Sequence, residues 1–202
     1  MERPYDYESI TTLDISKKKL KELPSWVSEC KKLEILNCNY NKITHLYNLP
    51  QKLKELNCSY NNITHLDNLP QTVKILNCEF NKITHLDNLP QGLQELGCSN
   101  NQITHLDNLP QTLEILYCRS NKITQLDNLS YNLQMLICYN NNITHLHNLP
   151  KTLEHLECFH NEIIELDYLP PNLEYLICDD NLLKYDFEPT LENIRNYINQ
   201  NK

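Results

Sequence analysis

Asn recurs at positions 41, 61, 81, 101, 121, 141, 161 and 181, and Cys at 38, 58, 78, 98, 118, 138, 158 and 178. The period is 20 residues and never slips. A unit that short cannot bury its own apolar face, so neighbouring units must stack and share one continuous core. The frame read from Leu53, LKELNCSYNNITHLDNLPQT, shows what is shared: Leu53, Leu56, Cys58, Asn61, Ile63, Leu66 and Leu69 recur from unit to unit.

The pattern LxxLxCxxNxI resembles the leucine-rich-repeat consensus, with Cys at an inward strand position where Leu is commoner. The resemblance covers roughly residues 10 to 183. A 20-residue unit with LP in each turn is similar to the repeats of bacterial effectors delivered into host cells, and the Asn-, Ile-, Lys- and Tyr-rich composition resembles giant-virus (mimivirus-like) leucine-rich-repeat proteins. The resemblance implies an α/β-type leucine-rich-repeat solenoid, with a parallel β-sheet on the concave face and extended coil on the convex face. It further implies a non-enzymatic module that binds a protein partner, in a virus or pathogen whose product engages host factors.

The residues support that architecture independently. Over Glu55 to Ser59 the pattern alternates, placing Leu56 and Cys58 inward and Glu55, Asn57 and Ser59 outward. Parallel strands stack at about 4.8 Å, so nine coils give a sheet on the order of 40 Å across. Leu precedes Pro at 49, 69, 89, 109, 149 and 169, and a residue before Pro is driven to extended conformations. The return path is therefore predicted as extended coil rather than helix. The first coil follows a 23-residue pattern of Ile10, Leu13, Ile15, Leu20, Leu23, Val27 and Cys30, with Lys18 at the Asn position. Terminal repeats are expected to be atypical. After Leu183 the frame fails, and Leu191, Ile194, Tyr197 and Ile198 fall at helical spacing behind Pro189, which predicts a short capping helix. The expected organisation is a cap segment at 1–9, the repeat domain at 10–183, and a C-terminal cap at 184–202.

The repeated polar columns read first as architecture. The Asn amides are expected to bond backbone groups of their own and adjacent coils. Successive cysteines point the same way on parallel strands at about 4.8 Å, beyond the usual Cβ separation of a disulfide, so they read as small buried hydrophobes. His45, His65, His85, His105 and His145, with Asp67, Asp87, Asp107 and Asp127, form a stripe on the convex side. Metal binding there is an alternative, against which stand Gln125 and Glu165 in the His column and the near-identity of the THLDNLP copies. No metal, cofactor or catalytic residue is assigned.

Because the buried columns are uniform, partner-specific information must lie where the coils differ. The three outward columns are mostly small and polar in the first half, with Ile35 and Ile75 the exceptions. From residue 117 they gain Tyr117, Arg119, Met135, Ile137, Tyr139, His155, Phe159, Tyr175 and Ile177. Exposed apolar clusters mark interaction sites, and aromatic residues with Arg commonly anchor them. These nine residues are the expected partner-binding site, unless they only pad the sheet or lie beneath the C-terminal segment. Glu154, Glu157, Glu174, Asp179 and Asp180 surround them and favour a basic partner. Burial of the cluster against a second copy, giving a homo-oligomer or structural role, is the alternative.

The remaining exclusions come from composition. A net charge of −8, from 26 acidic and 18 basic residues, disfavours nucleic acid as a partner. Two glycines, Gly92 and Gly97, leave no glycine-rich phosphate loop, and abundant Asn is expected to make the tight turns. Buried cysteines and convex histidines separate the groups that thiol catalysis needs. MERPYDYESI holds no apolar signal core and no stretch approaches a membrane span. The expected location is the cytoplasm, that of the host if the protein is viral.

Overall fold

A computed structural model describes residues 3, 5–166 and 168–200 of the chain. Parts of the expected caps, at 1, 2, 4, 201 and 202, lie outside the described residues. Nine strands of three residues each run in parallel: β1 (Thr12–Asp14), β2 (Ile35–Asn37), β3 (Glu55–Asn57), β4 (Ile75–Asn77), β5 (Glu95–Gly97), β6 (Ile115–Tyr117), β7 (Met135–Ile137), β8 (His155–Glu157) and β9 (Tyr175–Ile177). They form one sheet in sequence order. Each strand pairs with the next in a register that equals the repeat, so Leu36, Leu56 and Leu76 lie side by side. A one-residue slip would turn every inward leucine to solvent, which is why so short a strand holds its register.

The core is the sum of the apolar columns. Leu53, Leu56, Cys58, Ile63, Leu66 and Leu69 are all buried, as are most of their counterparts in the other coils, with Leu129, Leu176 and Leu183 partly buried. The return path of each 20-residue coil carries no regular element, in agreement with the Leu–Pro reading, and ends in a turn in which the Leu53 N–H donates to Pro50 O at 3.2 Å and the Leu93 N–H to Pro90 O at 3.0 Å, with Ser130 O accepting from Leu133 in the coil that lacks the proline. Coil 1 departs from this rule. Its three extra residues are taken up by a five-residue 3₁₀ helix over Ser25–Glu29, entered at Pro24, with Trp26 and Val27 buried. At the other end helix α1 (Leu191–Gln200) places Ile194 against the end of the core. Its first turn is capped by Thr190, whose hydroxyl accepts the Asn193 N–H at 3.2 Å.

The Asn ladder forms as expected. In each coil the side-chain amide donates to the carbonyl of the Cys three residues back and to a carbonyl of the preceding coil, and its oxygen accepts a backbone N–H; for Asn101 these partners are Cys98, Cys78 and Ile83. Lys18, at the ladder position of coil 1, donates its N–H to Asn41 Oδ1. The turns are made differently from expectation. Asn48, Asn68, Asn88, Asn108, Asn128 and Asn148 do hold positive φ, but the ladder asparagines do not, and the residue before the ladder takes the left-handed conformation whatever its type: Tyr40, Tyr60, Phe80, Asn100, Ser120, Asn140, His160 and Asp180. The reason is tertiary. The N–H of Tyr40 bonds Ser59 O and that of Asn41 bonds Tyr60 O, so the stack fixes the turn and overrides the cost to a bulky residue.

Candidate functional site

The short strands present their outward side chains in three columns on the concave face, with Leu and Cys between them sealed in the core. The nine residues expected from the sequence fall together there. Register places Met135, His155 and Tyr175 in one row, and Tyr117, Ile137 and Ile177 in the next, with Glu157 between the last two. Ring contacts tie the rows across coils: Tyr139 stacks on Phe159 at 4.1 Å, His155 on Tyr175 at 4.4 Å, and the Arg119 guanidinium lies 5.5 Å from the Tyr139 ring centre. His155 Nε2 sits 2.9 Å from Glu157 Oε1. The cluster is thus half-buried by its own members, and Tyr175 is 45% exposed.

Helix α1 meets the return-loop side of the last coil rather than the strand face. Arg195 donates to the carbonyls of Pro170, Pro171 and Leu173, the last at 2.7 Å. Tyr185, Phe187 and Tyr197 form a separate aromatic group beside it.

Two features of this face were not anticipated. Ser59 and Ser99, read as facing out, are buried. Ser59 turns its hydroxyl to Asn57 Oδ1 at 2.8 Å, and Ser99 has no such partner. Beyond the strands a second aromatic stack runs along the N-terminal half, Tyr40 on Tyr60 and Tyr60 on Phe80, both at 4.2 Å. Aligning the residue before each ladder Asn would have shown it, because the column opens Tyr, Tyr, Phe.

The conspicuous columns hold no assembled chemistry. All nine thiols are free and buried. Burial pushes the Cys38 and Cys118 thiols up to about 12, and that of Cys178 to about 11. On the convex side the histidine Nδ1 atoms of His45, His65, His85, His105 and His145 each pair with the preceding threonine hydroxyl at 2.9–3.0 Å. His85 and His105 approach Asp87 and Asp107 only to 3.6 and 3.7 Å. Among the described residues no three His, Cys, Asp or Glu side chains are grouped to hold a metal ion. Nor is any helix among them long and apolar enough to cross a membrane.

Nine parallel strands in sequence order, an Asn ladder and a 20-residue frame define a leucine-rich-repeat solenoid. A Leucine Rich Repeat family model matches residues 52–71. Among solved structures the chain is similar to YopM, a leucine-rich effector of Yersinia pestis, at 30% identity with a TM-score of 0.81, over 85% of this chain and 48% of that one. It is also similar to a Shigella effector leucine-rich-repeat domain, at 28% identity and a TM-score of 0.68, over 75% of this chain and 70% of that one. The functional domain of InlJ from Listeria monocytogenes, which includes a cysteine ladder, shares 29% identity at a TM-score of 0.70, over 93% of this chain and 47% of that one. The chain thus spans about half the length of the YopM and InlJ chains. No curated protein matches it. These likenesses are to bacterial proteins, and the family is one of protein-interaction scaffolds; no catalytic family is indicated.

Proposed function

We propose that the chain binds a basic segment of another protein through the C-terminal half of its concave face, from Tyr117 to Ile177, without chemistry of its own. The observation that carries this is the Tyr139–Phe159 stack with Arg119 laid toward it. Its rings rise from a sheet whose core is already complete beneath them. Aromatic anchors on a preformed face lose little rotamer freedom when they bind. Charge supports the choice of partner. Acidic and basic residues balance through residue 101, so the whole net charge of −8 lies in residues 102–202. A field of one sign over one half steers an oppositely charged partner onto it.

The likeness to effectors of Yersinia and Shigella favours a pathogen protein that works in a host cytoplasm. The composition-based likeness to giant-virus proteins extends the same reading to a viral origin. An array of reduced, buried thiols suits a reducing compartment.

The experiment is capture from host-cell lysate with the intact chain and with Tyr139→Ala/Phe159→Ala, both checked for fold by circular dichroism. Capture should be lost in the variant and should weaken as salt rises. Unchanged capture would overturn the reading. Sedimentation of the purified chain alone tests the competing assignment, in which this cluster is buried between two copies.

A further inference from the structure

The middle outward column reads Asn37, Asn57, Asn77, then Gly97, then Tyr117. In the three Asn coils the side-chain oxygen accepts the N–H two residues on, from Asn39 at 3.2 Å, Ser59 at 3.1 Å and Glu79 at 3.1 Å. Asn57 Oδ1 also accepts the Ser59 hydroxyl at 2.8 Å. Gly97 deletes that acceptor from its own coil. The hydroxyl of Ser99, at the position of Ser59, is consequently buried with no hydrogen-bond partner.

Nothing in the fold demands glycine here. Gly97 does not hold a positive φ. A Cβ built on it would meet Asn77 Cγ and Glu79 Cγ at 3.5 Å, which is ordinary contact. A glycine inside a strand weakens it and marks places where a ligand or another chain comes close. What Gly97 provides is room, an open notch of about 430 Å³ walled by Glu79, Glu95, Tyr117, Arg119, Tyr139 and Glu157. Three carboxylates face one guanidinium, and Arg119 is drawn toward the Tyr139 ring. Glu157 is occupied by His155, but among the described residues no ion pair joins Glu79 or Glu95 to a cation. Burial, and after it the charges of Glu95 and Glu79, raise the Tyr117 hydroxyl above its ordinary value. The notch is therefore electronegative and aromatic on one wall.

We infer that the Gly97 notch is a subsite for one lysine or arginine side chain of a bound protein segment. The cation sits between Glu79 and Glu95, and its stem lies along the Tyr117 ring. The inference rests on the concave-face reading and extends it to three residues beside the aromatic cluster: Glu79, Glu95 and Gly97.

The test needs no partner. The isotopically labelled full chain is titrated with N-acetyl-arginine amide and N-acetyl-lysine amide, with N-acetyl-norleucine amide as the uncharged control, and amide shifts are followed by NMR. Saturating shifts at Gly97 and Ser99 are expected with the cationic probes and not with norleucine. Gly97→Asn, which restores the residue of the three preceding coils, should abolish them while leaving distant coils unchanged. Glu79→Gln/Glu95→Gln should weaken binding by roughly tenfold or more and carries the test if Gly97→Asn does not fold. Equal shifts with norleucine, or shifts that survive both variants, would overturn the subsite. Failure of the two readings is separable: probe binding without Tyr139/Phe159-dependent capture sinks only the wider face, and the converse sinks only the notch.

Discussion

Asn61 and Cys38 are joined across a coil boundary: the Asn61 amide donates to the Cys38 carbonyl at 3.0 Å and to Cys58 O in its own coil at 3.1 Å. Its Oδ1 accepts the Ile43 N–H at 2.9 Å. One side chain therefore satisfies three backbone groups that the stack has taken from water. Asn61→Ala leaves the Ile43 N–H unpaired, while Cys38 O keeps Asn41 and Cys58 O keeps Asn81 as donors, and an unpaired group that water does not reach costs about 1–3 kcal/mol. We expect a loss of about 2 kcal/mol in urea unfolding. Asn61→Asp should be as damaging at neutral pH, since it aims a carboxylate oxygen at two carbonyls. A change below about 1 kcal/mol in both would show that water replaces the amide.

The thiol column makes the fold sensitive to alkali. Burial raises the folded thiols, to about 12 for Cys38 and Cys118 and well above 9.0 for Cys58 and Cys138. The unfolded chain loses these protons near 9.0 while the folded chain keeps them. The stability they contribute is thus whole below pH 9 and is lost as pH rises toward 12, at about 1.4 kcal/mol per thiol per pH unit. Urea midpoints should be flat from pH 7 to 8.5 and fall steeply beyond it. A thiol reagent at pH 8 should react at the rate of unfolding; rapid labelling of the native chain would contradict the sealed column.

Much of this was legible because repetition converts sequence directly into register. Leu56 and Leu76 lie side by side for the same reason that they lie 20 residues apart, and the buried columns could be assigned without propensities. The concave cluster was legible for the converse reason, as the place where Tyr117, Tyr139 and Phe159 break uniformity. What was not legible depends on neighbours rather than on spacing. Ser59 is outward by alternation yet buried, its hydroxyl held to Asn57 Oδ1. Tyr60 turns the chain at a φ of 52°, which its own side chain disfavours and only the ladder imposes. The notch at Gly97 needed the backbone angles, since a glycine is informative there only once a turn has been ruled out.

Asn108 separates backbone from side-chain effects. It holds a φ of 55°, on the exposed return path. Asn108→Gly should leave stability nearly unchanged, because glycine adopts that conformation freely. Asn108→Ala should cost about 1 kcal/mol, the penalty for a Cβ in the left-handed region. Thermal melts of both variants check this. Equal effects would mean that the turn relaxes.

Ile194 closes the end of the core, fully buried on helix α1 between the half-buried Leu191 and Ile198. In a stack where each coil touches only its neighbours, the loss of a cap is felt first at the coil it covers. Ile194→Ala removes buried methyl groups where the last coil has no further neighbour, at about 2–4 kcal/mol. The consequence should be graded along the chain. Amide exchange should accelerate most at Leu173, Leu176 and Cys178, less at Leu156, and little at Leu56. Arg195→Ala, which removes a guanidinium bonded to three return-loop carbonyls, should give the same gradient with smaller amplitude. Uniform acceleration from Leu56 to Cys178 would instead show that the solenoid unfolds as one unit and that the helix guards all of it.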